Sequence, residues 1–175
     1  AFAVFNSLLL VLYAARLKSI PLVGNIAVSY LSGSMFLFGG AFAGMDGLIH
    51  LVPIAVMTFL AMMARELIKD AEDVEGDKAG GAVTLPIMIG VKKTALTAFV
   101  FVLLSAIASA VPFLWWGIPY LVLIGIVDVI LIVAAIKALS CDTPACVRQS
   151  KASAALKYGM FASLLVFVIS ALFFG

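Results

Sequence analysis

Charge is scarce in this sequence. Eleven basic and nine acidic residues stand among 175, and 65% of the chain is apolar. Soluble domains are roughly half apolar and a quarter charged, so a water-bathed globule is excluded. The mean hydropathy of +1.26 makes lipid the solvent. Histidine is nearly absent and cysteine is limited to Cys141 and Cys146. There is no repeat, no low-complexity run and no clustered basic surface of the kind nucleic acid requires. Two C-x4-C thiols in a cytoplasm-side connection would stay reduced, so free thiols are expected there.

A hydrocarbon layer about 30 Å thick needs apolar helices of about 20 residues. Six apolar stretches are present, at 1–14, 22–44, 49–69, 93–114, 117–138 and 156–174. These predict an all-α, polytopic transmembrane bundle in one domain, residues 1–175. The first stretch is too short to span and has no initiating Met or signal-like charged region, so the chain reads as a piece of a longer protein.

The connections 45–48 and 114–117 and the tail lack Lys and Arg altogether. If the stretches alternate, every positive charge falls on one side, from Arg16 and Lys18 through Arg65 to Lys93, and from Lys137 to Lys157. Excess Lys and Arg mark the cytoplasmic face. The C-terminus, Gly175, is then expected outside. Small residues at 29–34 and 39–44 should form helix-packing faces. Trp115 and Trp116, beside Pro112, Gly117 and Pro119, suit an outer-interface anchor and turn. Asn6 and Ser7 suit hydrogen bonds between helices. Asp46 and His50 suit a solvated or capping role in an outer turn. Asp128, near the middle of an apolar stretch, should face the bundle interior as a hydrogen-bonded carboxyl.

Six of the nine acidic residues lie between Glu66 and Asp77. On one continuous helix Glu66, Asp70, Asp73 and Asp77 are spaced i, i+4, i+7 and i+11 and share a face, while Glu72 and Glu75 point elsewhere. Such crowding is unfavourable unless a cation relieves it. Mg²⁺ suits the arrangement, because it takes one or two carboxylates and completes its shell with water and substrate phosphates. The spacing does not match an EF-hand loop. A plain solvated helix end, with Arg65 and Lys69 paired to the acids, is the competing reading. Gly76, Gly80, Gly81 and Pro86 should end the helix and leave a long, adaptable connection over 65–93.

The run from Lys69 and Asp70 through Asp73 and Asp77 to Lys78, Thr84, Leu85 and Pro86 resembles the second aspartate-rich motif, D-x-x-D-x-x-x-D, of the UbiA superfamily of intramembrane prenyltransferases. The wording is most similar to the archaeal branch that makes digeranylgeranylglyceryl phosphate. The resemblance implies a nine-helix bundle of which these six stretches are the last six. The first three helices, with the opposing aspartate motif, are expected to lie outside these residues, since no N-x-x-x-D or D-x-x-x-D precedes Glu66.

It implies catalytic and metal-binding roles for Asp70, Asp73 and Asp77 toward Mg²⁺, and an isoprenyl diphosphate as donor. The stretch Tyr13 to Asn25 resembles the family's Tyr- and Lys-containing connection. This puts Tyr13, Arg16 and Lys18, with Arg65 and Lys69, among candidate substrate-binding residues, Arg16 and Lys18 being suited to a leaving diphosphate. The implied function is transfer of a polyprenyl group, such as geranylgeranyl, to a lipid acceptor in ether-lipid synthesis, with membrane lipid around the bundle. An aromatic acceptor of the quinone or chlorophyll type is the alternative within the family. A cation transporter is the alternative outside it, and would need ionisable residues deep in several helices; only Asp128 fits.

Overall fold

The computed structural model describes residues 2–17 and 20–174. Among them every regular element is a helix: α1 (Phe2–Ala15), α2 (Val23–Phe42), α3 (Gly44–Glu72), α4 (Val74–Ala79), α5 (Leu85–Ile89), α6 (Val91–Ser109), α7 (Phe113–Leu139), α8 (Pro144–Ser150) and α9 (Ala152–Phe173). Five segments are long and apolar enough to cross a membrane: α2, α3, α6, α7 and the α8–α9 run Pro144–Phe173. The all-α polytopic bundle read from the sequence is therefore present. Gly175 and Lys18 lie outside the described residues.

Helix α3 is the axis of the bundle, packed against α2 on one side and α6 on the other, with α7 and α9 paired beyond. Its Ile54, Ala64, Leu67, Ile68 and Ala71 are buried in one core with Ala98 and Val102 of α6, Tyr120, Ile124 and Leu131 of α7, and Leu156 of α9. Apolar side chains such as Leu10, Met35, Ile107, Ile126 and Leu165 instead point outward, as a lipid-facing surface requires.

With no hydrophobic drive between helices in lipid, close approach rests on small residues. A Cβ at Gly33 of α2 would stand 2.6 Å from the Ala55 carbonyl oxygen of α3, and one at Gly40 would stand 2.9 Å from the Gly47 carbonyl oxygen. Gly159 of α9 sits directly against the Leu131 side chain of α7. The run 29–34 is thus a packing face, with Ser29, Gly33 and Ser34 buried, whereas in 39–44 only Gly40 is buried and Gly39 and Gly44 look onto open space. Asn6 Nδ2 donates to Ser34 Oγ at 2.9 Å, tying α1 to α2. Asp46 lies in the first turn of α3, where its charge suits the helix dipole, and His50 Nδ1 approaches the Asp46 carbonyl at 2.7 Å.

Three expectations are corrected. The connection 65–93 is not an open loop, because α3 runs on to Glu72 and the remainder folds into α4 and α5. Trp116 is not an interface anchor: it is buried, stacked 6.4 Å from Phe167 and packed 5.1 Å from Tyr120, while Trp115 meets His50 edge-on at 5.1 Å. Gly117, at φ 68°, kinks α7 and turns Trp116 inward.

Cys141 and Cys146 are not free thiols but a disulfide. Helix α7 ends at Leu139 and α8 begins at Pro144, with Thr143 as its N-cap accepting from the Cys146 N–H at 3.3 Å. That tight corner puts the two Cα atoms 5.4 Å apart, within bridging distance.

Candidate functional site

Helix α3 has 29 residues and is about 43 Å long at 1.5 Å per residue, longer than the hydrocarbon layer. Its charged C-terminal end therefore projects from the apolar zone. There the helix breaks at Asp73 (φ −115°, ψ 28°), whose N–H is shared between the Lys69 and Asp70 carbonyls at 3.2 Å each. Buried Val74 restarts the helix as α4. Without the break, four like charges would stand in one column.

The break sorts the acids into three groups. Glu66 and Asp77 each lie within electrostatic reach of the Asp70 carboxylate, as does Lys69 with the opposite sign. Asp70 Oδ2 accepts from Asn25 Nδ2 of α2 at 2.8 Å. Glu66 is buried and contacts Arg65 Nη1. Asp77 Oδ2 is buried with no hydrogen-bond partner among the described residues.

Asp73 leaves the column. Its side chain is exposed and folds onto Gly76, where a Cβ would meet the carboxylate. Glu72, off the face as its spacing predicts, has a structural task. Its Oε2 accepts from Ser153 Oγ of α9 at 2.8 Å, and its carbonyl accepts from Arg148 Nη2 of α8 at 2.7 Å. These bonds lock the end of α3 to the start of α9. Glu75 is exposed.

The other sequence-predicted residues divide similarly. Tyr13 of α1 is half-buried and lies within electrostatic reach of Glu66 and Asp70. Arg16 is exposed just beyond α1, and Lys69 is exposed beside Asp70. Arg65 stands where the acidic face of α3 meets its apolar face, its Nε buried and unpartnered among the described residues.

From Arg65 a cavity of about 280 Å³ runs between α2, α3, α7 and α9, walled by Phe36, Met57 and Phe167 and reached by Asp128 and Lys157. Asp128 Oδ2 accepts from Ser109 Oγ at 2.6 Å, and Tyr120 Oη donates to the Ser109 carbonyl at 2.8 Å. Asp128 is thus the hydrogen-bonded interior carboxyl expected from its position. Sequence reasoning passed over Asn25 and Lys157. Asn25 had a signal, lying in the same basic patch as Tyr13; Lys157 looked like any cytoplasm-side cation.

Among the described residues no three His, Cys, Asp or Glu side chains are close enough to hold a metal ion unaided. The donor set still fits a shared ion: clustered carboxylates, one with a buried and unpartnered oxygen, leave most of the shell for phosphate and water.

An acidic, membrane-edge helix end opening on an apolar cavity defines an integral membrane protein with a polar site at one end of its bundle. The UbiA prenyltransferase family matches residues 1–165, and the chain belongs to that family. Digeranylgeranylglyceryl phosphate synthase of Methanoregula boonei is 57% identical over 171 residues, covering 98% of this chain and 61% of the relative. The synthase of the same name from Methanoculleus marisnigri is 54% identical over 172 residues, covering 98% and 62%. A solved structure of digeranylgeranylglyceryl phosphate synthase in membranes is similar with a TM-score of 0.86 at 39% identity, over 97% of this chain and 60% of that one. The chain thus spans about three-fifths of the length of these relatives.

Proposed function

We propose that this chain carries the second aspartate-rich half of a prenyltransferase site that moves a geranylgeranyl group from its diphosphate to the hydroxyl of a geranylgeranylglyceryl phosphate. The observation behind this reading is the electrostatic coupling of Glu66 and Asp77 to Asp70 at the end of a helix whose Arg65 lines an apolar cavity. The acceptor follows from the relatives' product, a glyceryl phosphate with two geranylgeranyl chains. The positive-inside distribution supports a cytoplasmic location for this end of the bundle.

Asp70 and Asp77 would hold Mg²⁺ against the donor diphosphate, with Asp73 joining them from its exposed position at the helix break. When bound, the ion supplies Lewis-acid neutralisation of the leaving group. Asn25 fixes the rotamer of Asp70. Tyr13, Arg16 and Lys69 would supply donors and positive charge for the diphosphate oxygens at the same edge, and Lys18, outside the described residues, is a further candidate from its place in the sequence. In the transfer the donor's C1–O bond to diphosphate breaks and a C1–O bond to the acceptor hydroxyl forms; the hydroxyl proton is released. The apolar bundle around this end of the site would keep bulk water from the allylic centre.

The test is Mg²⁺-dependent release of diphosphate from geranylgeranyl diphosphate by the full-length protein and by Asp70→Ala, Asp73→Ala and Asp77→Ala. Loss of release is expected. Unchanged activity in all three variants would overturn the site.

A further inference from the structure

The cavity between α2, α3, α7 and α9 is lined by three ionisable side chains, Arg65, Asp128 and Lys157. Two of them are already engaged. Asp128 takes the Ser109 hydroxyl, and Arg65 contacts Glu66 through Nη1 while its Nε stays buried and unpartnered. Lys157 has no carboxylate partner among the described residues, and its Nζ lies 5.9 Å from the Tyr158 ring centroid.

Lys157 stands one turn beyond Ser153 on α9, whose hydroxyl donates to Glu72 at the end of α3. Lys157 therefore sits about 6 Å inward from that contact, and Arg65 about 10 Å inward from Glu72 along α3. Both cations border the same end of a cavity whose remaining wall is apolar.

The proposed reaction has two phosphate-bearing substrates, and the site offers two different electrostatic environments. The cluster of Glu66, Asp70 and Asp77 repels any phosphate not accompanied by a divalent cation. The cavity end offers exposed Lys157 and partly buried Arg65, which can take a phosphate directly through charge-assisted contacts.

We infer that this cavity is the acceptor subsite: the phosphate of a prenylated glyceryl phosphate sits against Lys157 and Arg65 Nε, with its isoprenoid chain along Met57, Phe36 and Phe167. This rests on the prenyl-transfer reading above. It separates the monophosphate lipid from the diphosphate donor by charge, and makes Lys157 a specificity-determining residue.

The experiment compares full-length wild type, Lys157→Gln, Lys157→Arg and, as a surface-cation control, Lys137→Gln. For Lys157→Gln the KM for geranylgeranylglyceryl phosphate should rise about tenfold or more, the scale of a lost charge-assisted contact, with the KM for geranylgeranyl diphosphate unchanged. Lys157→Arg should recover most of the loss, and Lys137→Gln should behave as wild type. With phosphate-free geranylgeranylglycerol as acceptor, wild type and Lys157→Gln should be equal. A KM effect on the donor alone, or none on the phosphate acceptor, overturns the assignment.

Binding of radiolabelled geranylgeranylglyceryl phosphate in nanodiscs of neutral phospholipid keeps the two hypotheses apart. Weaker binding to Lys157→Gln than to wild type would uphold the subsite even if no transfer were detected. Equal binding would reject it even if transfer proceeded.

Discussion

Asn25 Nδ2 donates to Asp70 Oδ2 at 2.8 Å, linking α2 to the acidic end of α3 across 45 residues of sequence. The bond sets the orientation of a carboxylate that also feels Glu66 and Asp77. Replacing Asn25 with Leu should lower prenyl transfer about 10- to 100-fold, the usual cost of removing an outer partner of a ligand, with helix content preserved. Parallel kcat/KM measurement and circular dichroism check this. A fall in Mg²⁺ affinity should accompany it.

The division of the acids at the Asp73 break makes the cluster separable by mutation. Asp77→Asn should reduce transfer more than 100-fold, by loss of an electrostatic element at the leaving group. Exposed Glu75→Gln should stay within about twofold, since surface charges contribute little. Chelation with EDTA should abolish transfer in the wild type, and added Mg²⁺ should restore it. Product assay across the three conditions decides the matter.

Glu72 should act on stability and not on chemistry. Ser153→Ala removes its hydroxyl partner and should lower stability by about 1 kcal/mol, read as an earlier thermal unfolding transition in detergent. The KM for both substrates should be unaffected.

The glycines of α2 should respond in opposite directions. Gly33→Ala drives a Cβ against the Ala55 carbonyl oxygen and should destabilise the α2–α3 pair by about 1–3 kcal/mol. Gly39→Ala meets nothing within 4 Å and should be neutral or stabilising by up to about 1 kcal/mol through helix propensity. Unfolding in detergent at matched lipid content measures both.

The sequence alone determined the lipid solvent, the helical spans, the small-residue contacts at Gly33 and Gly40, and the acidic segment. Each of these is written in local composition or in a 3.6-residue period. Asp128, too, was legible as an interior group, because an isolated carboxyl in an apolar run has nowhere else to go.

Only the tertiary structure decided how the acids divide. A helical wheel places Glu66, Asp70, Asp73 and Asp77 on one face, but burial of Val74 and the break at Asp73 depend on neighbours that no local pattern encodes. For the same reason the pairing of Asn25 with Asp70 and the use of Glu72 as a tie to Ser153 were hidden. So was the place of Lys157 at the cavity, since these are contacts between helices far apart in sequence, set by packing rather than by period.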